Sequence, residues 1–143
     1  MKTSAKGITL IKQSEGFRAK AYKCPAGVWT IGYGTTAGVI PGMVVTEAEA
    51  NALMMKHVSG IEKQLNGLSL RLRQTQYDAL IDFIYNLGFG NFLGSGLLRM
   101  IKVNPDSSNI PTEFRKWKNS GGSPSKGLIF RREAEIRLYN SLT

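Results

Sequence analysis

The sequence predicts an α+β fold: a small antiparallel sheet lobe beside a larger helical lobe, the two joined by one long helix. Three observations predict it. Between Phe17 and about Val45, FRAKAYK alternates, VWTIGYG is β-branched and aromatic, and Gly27, Gly32, Gly34, Gly38 and Gly42 punctuate the run as turns. Beyond Thr46 the pattern turns helical and stays so. The chain has 143 residues, 42% of them hydrophobic, enough for one core and too short for two domains of typical length.

The elements follow in order. Ser4 is a candidate cap for a short helix through about Ser14, with Ile8 and Ile11 on one face and Gly16 as the stop. The glycine-rich segment then reads as two or three strands. Thr46 and Glu49 form a T-x-x-E capping signature, and the helix behind it runs about 20 residues, roughly 30 Å, long enough to bridge two lobes. Leu53, Met54, His57, Val58, Ile61 and Leu65 share one side of it. TQYDALIDFIYNLG is a further helix ending at Gly88, followed by a glycine-rich turn and GLLRMIK. VNPDSSNIP breaks the chain before TEFRKWKN, and SGGSPSKG reads as a loop before the closing helix LIFRREAEIRLYNSL. The whole is one domain, 1–143: a sheet lobe of about 15–45, a connecting helix of about 46–66, and a helical lobe of 1–14 with 67–143.

Charge narrows the partners. Nineteen Lys and Arg against ten Asp and Glu give a net charge of +9, which favours a polyanion: nucleic acid, an anionic membrane face, or an acidic wall polymer. One cysteine excludes an intrachain disulfide, and one cysteine with one histidine supplies no closed ligand set, so neither metal nor cofactor is expected. The N-terminus lacks both a signal-peptide core and a membrane-length apolar run, which predicts a soluble cytoplasmic product without stable membrane insertion. LRLRQ, FRKWK and IFRRE are basic patches near aromatics, but no zinc-finger, RNP-like or helix-turn-helix pattern accompanies them. A non-enzymatic wall- or nucleic-acid-binding module is the alternative in kind, and nucleic acid is not the expected partner.

Chemistry points to the junction of lobes. Glu15 lies where the first helix ends, and Cys24 and Thr30 follow on a strand-turn-strand segment, with eight and five residues between successive members. A cysteine and histidine hydrolase built on Cys24 and His57 is disfavoured, because His57 lies mid-helix among Met54, Val58 and Ile61 with no orienting partner. Trp29 and Trp117 read as packing residues rather than sugar platforms, and Gly32 and Gly34 as positions where the backbone needs freedom.

Glu15, Cys24 and Thr30, within EGFRAKAYKCPAGVWTIGYGT, resemble the E-x8-D/C-x5-T signature of the phage-type lysozymes, the endolysins of T-even and lambdoid phages. The resemblance extends through TEAEA, ALIDFIYNLGFGNF, and the pattern of Trp117, Gly127, Leu128, Arg131, Arg132 and Glu135. It implies a lysozyme-like fold and hydrolysis of the β-1,4 bond between N-acetylmuramic acid and N-acetylglucosamine in bacterial peptidoglycan. It further implies Glu15 as general acid, with Cys24 and Thr30 holding or activating a water on the opposite face of the sugar, the arrangement of an inverting enzyme. A lytic transglycosylase is the alternative reaction.

Tyr85, Asn86, Ser95, Gly34 and Thr36 match substrate-binding positions of the family. Arg131 or Arg132 is expected to orient Glu15; a cation there favours the ionised carboxylate, so burial has to push the other way in a general acid. The same resemblance implies a monomer, made in the host cytoplasm, that reaches the wall once a holin opens the inner membrane.

Overall fold

The computed structural model describes residues 1–143. Helix α1 (Ala5–Glu15) leads into a hairpin of β1 (Arg18–Lys23) and β2 (Trp29–Gly32), antiparallel, with Tyr22 opposite Thr30 and Lys23 opposite Trp29. Single bridges from Lys20 to Val44 and from Ile31 to Thr35 complete the small lobe, so its third edge is a touch rather than a strand. The long helix α2 (Glu47–Asn66) follows. Then come α3 (Gln74–Leu87), α4 (Phe89–Leu93), α5 (Gly96–Val103), α6 (Ile110–Arg115), a short hairpin of β3 (Asn119–Ser120) and β4 (Ser123–Pro124), and α7 (Lys126–Asn140).

Helix α2 starts where its sequence says it must. The Thr46 hydroxyl accepts from the Glu49 amide at 3.1 Å and the Glu49 carboxylate accepts from the Thr46 amide at 2.9 Å, satisfying two donors that a helix start otherwise leaves unpaired. Ala50, Met54, Val58, Ile61 and Leu65 form its buried stripe. That stripe touches Ile31 and Tyr33 of the sheet lobe at one end and α3 at the other, so a single apolar core runs through both lobes. His57 stands off the stripe, exposed, with its ring 4.6 Å from that of Tyr85.

Helix α3 is the hub. Thr75 to Tyr85 are all buried, because α1, α2, α4 and α7 pack around them. A helix enclosed on all sides must find partners for each polar side chain it carries. Asp78 accepts from the Ser4 amide at 2.9 Å and from the Ser4 hydroxyl. Ser4 therefore occupies the expected cap position of α1 without capping it: its hydroxyl is turned to donate to Asp78, and its oxygen accepts nothing from the helix start. Phe83 sits in an aromatic nest with Phe92, Phe114 and Trp117, ring centroids 5.7–6.1 Å away.

Three segments differ from their sequence reading. SGGSPSKG holds a two-stranded hairpin rather than a plain loop, turned by Gly121 (φ 58°) and Gly122 (φ 85°), the pair of positive φ values that a tight hairpin turn requires. The glycine-rich turn after Gly88 contains α4. Helix α6 begins at Ile110, upstream of TEFRKWKN, with Pro111 in its first turn where a missing amide proton is harmless.

Replacing Thr46 with alanine removes one side of the reciprocal cap. Thr46→Ala is expected to lower unfolding free energy by about 1 kcal/mol in urea melts; an unchanged midpoint would mean that lobe packing alone holds the start of α2.

Candidate active site

Helix α1 ends at Glu15 because Gly16 follows in a conformation, φ 69°, that side-chain-bearing residues rarely adopt. The carboxylate stays near the lobe junction. A Cβ on Gly34 (φ 78°) would lie 2.8 Å from the Glu15 carboxyl carbon and closer still to Oε1, so the hairpin end fits over the acid only without a side chain.

From the helical lobe, Arg131 Nη1 donates to Glu15 Oε2 at 2.7 Å. The other edge of the same guanidinium grips Asp82: Nε donates to Oδ2 at 3.0 Å and Nη2 to Oδ1 at 2.9 Å. The side chains of Glu15, Arg131 and Asp82 are 18%, 8% and 0% exposed, so exposure falls along the series into the core. Burial acts against the Arg131 charge, but Asp82 and then Glu15 outweigh it and its pKa is raised.

Behind Asp82 lies a second carboxyl, Glu135, fully buried. Burial first, and the neighbouring Asp82 next, push its pKa well above the usual carboxylate range. Asp82 moves the other way: burial opposes its charge, but the hydrogen bond from Glu135 and the cations Arg131 and Arg132 hold it ionised.

Arg132 does not reach Glu15. Its Nη2 donates to Asn86 Oδ1 at 2.6 Å and to Glu135 Oε2 at 3.1 Å, its Nη1 donates to the Trp117 carbonyl at 3.2 Å, and its guanidinium lies 5.2 Å from the Phe83 ring. Its Nε is 2.7 Å from Glu135 Oε1 yet misaligned for a hydrogen bond, leaving an ion-pair distance without a directed bond.

Cys24 and Thr30 sit on the β1–β2 hairpin. The Cys24 amide donates to the Val28 carbonyl at 3.0 Å and the Cys24 carbonyl accepts from Gly27 at 2.8 Å, curling the 24–28 turn beside the sulfur. The backbone at Val28 is the largest influence on the thiol and lowers its pKa; partial burial opposes, and the Ala26 backbone and Thr30 hydroxyl add to the lowering. The Thr30 hydroxyl is 3.0 Å from the Val28 carbonyl, so its one proton can serve either that oxygen or the sulfur. No hydrogen bond links Cys24 to His57.

A cleft of about 940 Å³ opens between the 35–37 segment and the helices α2 and α3; Glu15, Cys24 and Thr30 are not among its lining residues. Thr35, Thr36 and Ala37 form one wall, Lys56, His57, Gly60 and Lys63 of α2 another, and Gly88 to Gly90 an end. Of the expected substrate positions, Thr36 faces this cleft and Gly34 abuts Glu15. Tyr85 is 7% exposed, its hydroxyl donating to the Tyr33 carbonyl at 2.5 Å, which ties the lobes together. Asn86 is engaged by Arg132. Ser95 is 2% exposed, and its hydroxyl donates to the Phe92 carbonyl at 2.6 Å while accepting from the Leu98 amide at 3.1 Å, so it caps α5. A smaller hollow of about 400 Å³ between α1 and α7 touches none of the candidate residues.

Asp82 and Glu135 are the site-related residues for which the sequence reading assigned no role. A charged residue inside the apolar run ALIDFIY was the available signal for Asp82.

Comparison with known proteins gives a consistent result. The family model described as phage lysozyme matches residues 12–135. An endolysin of Acyrthosiphon pisum secondary endosymbiont phage 1 is 40% identical over 99% of both chains. An endolysin of Bacillus phage PZA is 37% identical, with this chain spanning 57% of its length. Among solved structures, the muramidase domain of SpmX from Asticaccaulis excentricus superposes with a TM-score of 0.87 at 33% identity, covering 98% of each chain. A mutant of P22 lysozyme superposes at 0.83 with 34% identity, covering 99% of each.

The contact at Gly34 yields a sharp expectation. Gly34→Ala both strains a positive-φ position and pushes on the Glu15 carboxylate, so lytic rate is expected to fall at least tenfold while the melting temperature drops by only a few degrees. Parent-like lysis by the folded variant would show that the hairpin end does not position Glu15.

Proposed function

The chain belongs to the phage lysozyme family, and we propose that it hydrolyses the β-1,4 bond between N-acetylmuramic acid and N-acetylglucosamine in peptidoglycan, with Glu15 as general acid. The observation that carries this reading is the setting of Glu15: a mostly buried carboxyl at the lobe junction, bonded to Arg131 and covered by Gly34, which directly precedes Thr35 of the cleft wall. An acid in such a place meets a glycosidic oxygen while staying shielded from bulk water. The endolysin and muramidase names of its relatives support the substrate class.

Cleavage needs a proton on the leaving oxygen and a nucleophile on the opposite face of an oxocarbenium-like centre. In the proposed mechanism Glu15 gives the proton. Cys24 and Thr30 place the water, and the Cys24 thiolate takes its proton as the water attacks, which inverts the anomeric centre. The lowered thiol pKa supports this role, since the turn at Val28 and the Thr30 hydroxyl both favour the anion. Arg131, bonded to Glu15, is the orienting arginine in this reading. Thr36 and the cleft wall of α2 hold the glycan.

A basic chain of +9 is drawn to anionic wall polymers, which raises the encounter rate at low salt. No helix is long and apolar enough to cross a membrane. We take the working unit to be a monomer and its access to the wall to depend on a separate holin, as for a phage enzyme made inside the host.

Clearing of a purified peptidoglycan suspension tests the reading. Glu15→Gln keeps shape and removes the transferable proton, so clearing is expected to slow by roughly 10²–10⁴. Activity within a few-fold of the parent would remove Glu15 from the mechanism. A parent that clears nothing but binds wall or DNA with a steep salt dependence would make the chain a binding module.

The thiolate has its own test. If it is the base, activity rises with pH as the thiol loses its proton, and the lowered pKa moves that rise below the range of a free cysteine. Cys24→Ser cannot ionise there, and its activity is expected to be low with the rise abolished. A serine variant matching the parent in rate and pH profile would reduce Cys24 to a water-positioning or structural group.

A further inference from the structure

Glu15 shares its arginine. Of the five N–H donors on the Arg131 guanidinium, two are held by Asp82 in a fork and one reaches Glu15, so the tighter clamp belongs to the fully buried carboxylate. Asp82 is 0% exposed, and the fully buried Glu135, its pKa pushed well up by burial and by Asp82, lies behind it. Charged and titratable groups of this region come from several elements: Arg131 from α7, Asp82 and Tyr85 from α3, His57 from α2, and on α1 itself Lys12, one turn before Glu15 and over the ring of Tyr33. The hairpin end places Gly34 against the Glu15 carboxyl, just after Tyr33, whose hydroxyl donates to Glu47.

The consequence is electrostatic. An arginine alone at 2.7 Å from a carboxyl stabilises its ionised form, which is the wrong form for a proton donor. An arginine already paired with a second carboxylate presents a much weaker field while keeping its N–H aimed at the same oxygen. Orientation and charge are thereby separated.

We propose that Asp82 is a positioning residue for the lytic reaction: by forking Arg131 it lets that arginine aim Glu15 while cancelling much of the positive charge that would strip Glu15 of its proton. The inference deepens the reading of Glu15 as general acid and rests on it for its catalytic meaning. Glu135 and Arg132 brace the arrangement from behind. Glu135 supplies Asp82 with a hydrogen bond, and Arg132 ties α7 to Asn86 and the Trp117 carbonyl.

Asp82→Asn keeps the shape and removes the charge. The alkaline limb of the clearing activity is expected to move to lower pH, because the Arg131 charge then faces Glu15 without a competing carboxylate. Asp82→Ser, which leaves room for a water beneath the guanidinium, is expected to shift the limb the same way and guards against misfolding of the first variant. Carbon-detected NMR titration of the Glu15 carboxyl in parent and variants reads the same shift without any turnover. Hence, if the parent proves not to be a glycosidase, the titration still judges the electrostatic role of Asp82 separately. A folded variant that is slower but shows an unmoved limb and an unmoved Glu15 midpoint would overturn the proposal. So would failure of both variants to fold, which would make Asp82 a requirement of the core rather than of Glu15.

Discussion

The structure turns on a buried guanidinium. Arg131 lies 8% exposed between the helical core and the lobe junction, and taking that charge out of water is tolerable only because Asp82 and Glu15 together accept three hydrogen bonds from it. The ends of the clamp come from distant parts of the chain: Glu15 closes α1, Asp82 is mid-α3 and Arg131 is in the second turn of α7. Docking these three helices and charging the active site are one event. The packing of α3 against both α1 and α7 is its structural counterpart.

From that constraint the other features follow. Helix α3 must be enclosed to keep Asp82 dry, and enclosure obliges Asp78 to find Ser4 and Gln76 to find the Arg73 amide. Glu15 must face the sheet lobe, and only a glycine at position 34 lets the hairpin come close enough to shield it. Tyr85, bonded to the Tyr33 carbonyl and stacked on His57, closes the junction from the α2 side. The cleft remains where the lobes diverge, lined by Thr35 to Ala37 and the exposed flank of α2. The two halves of the proposed chemistry thus have different supports. Glu15 is fixed by helix docking, whereas Cys24 and Thr30 are fixed within one hairpin whose turn supplies the field that favours a thiolate.

Much of this was legible in the residues, and the limits have physical causes. The spacing of Glu15, Cys24 and Thr30 and the Thr46 and Glu49 cap are local patterns, and local patterns survive in a one-dimensional reading. Helix α2 was legible for the same reason, since its buried stripe has a clean helical period. The choice between Arg131 and Arg132 was not. Adjacent positions on a helix point about 100° apart, and α7 carries charge on several sides, with Arg131, Arg132 and Glu135 all buried, so its sequence does not reveal which face meets Glu15. The capping role of Ser95 was legible locally, since a serine just before the apolar run of GLLRMIK is a helix-cap signal. The partners of Asp82 lie 49 and 53 residues away in sequence, at Arg131 and Glu135, beyond any periodicity argument.

The claim that unites fold and chemistry is that Glu15 protonates a glycosidic oxygen while a water, and not a hydroxyl of the substrate itself, completes the cleavage. Mass spectrometry of peptidoglycan digested in ¹⁸O-water tests it directly. The account predicts fragments ending in reducing N-acetylmuramic acid, each new end carrying one ¹⁸O atom. Fragments ending in 1,6-anhydromuramic acid with no isotope, or new reducing ends on N-acetylglucosamine, would contradict it.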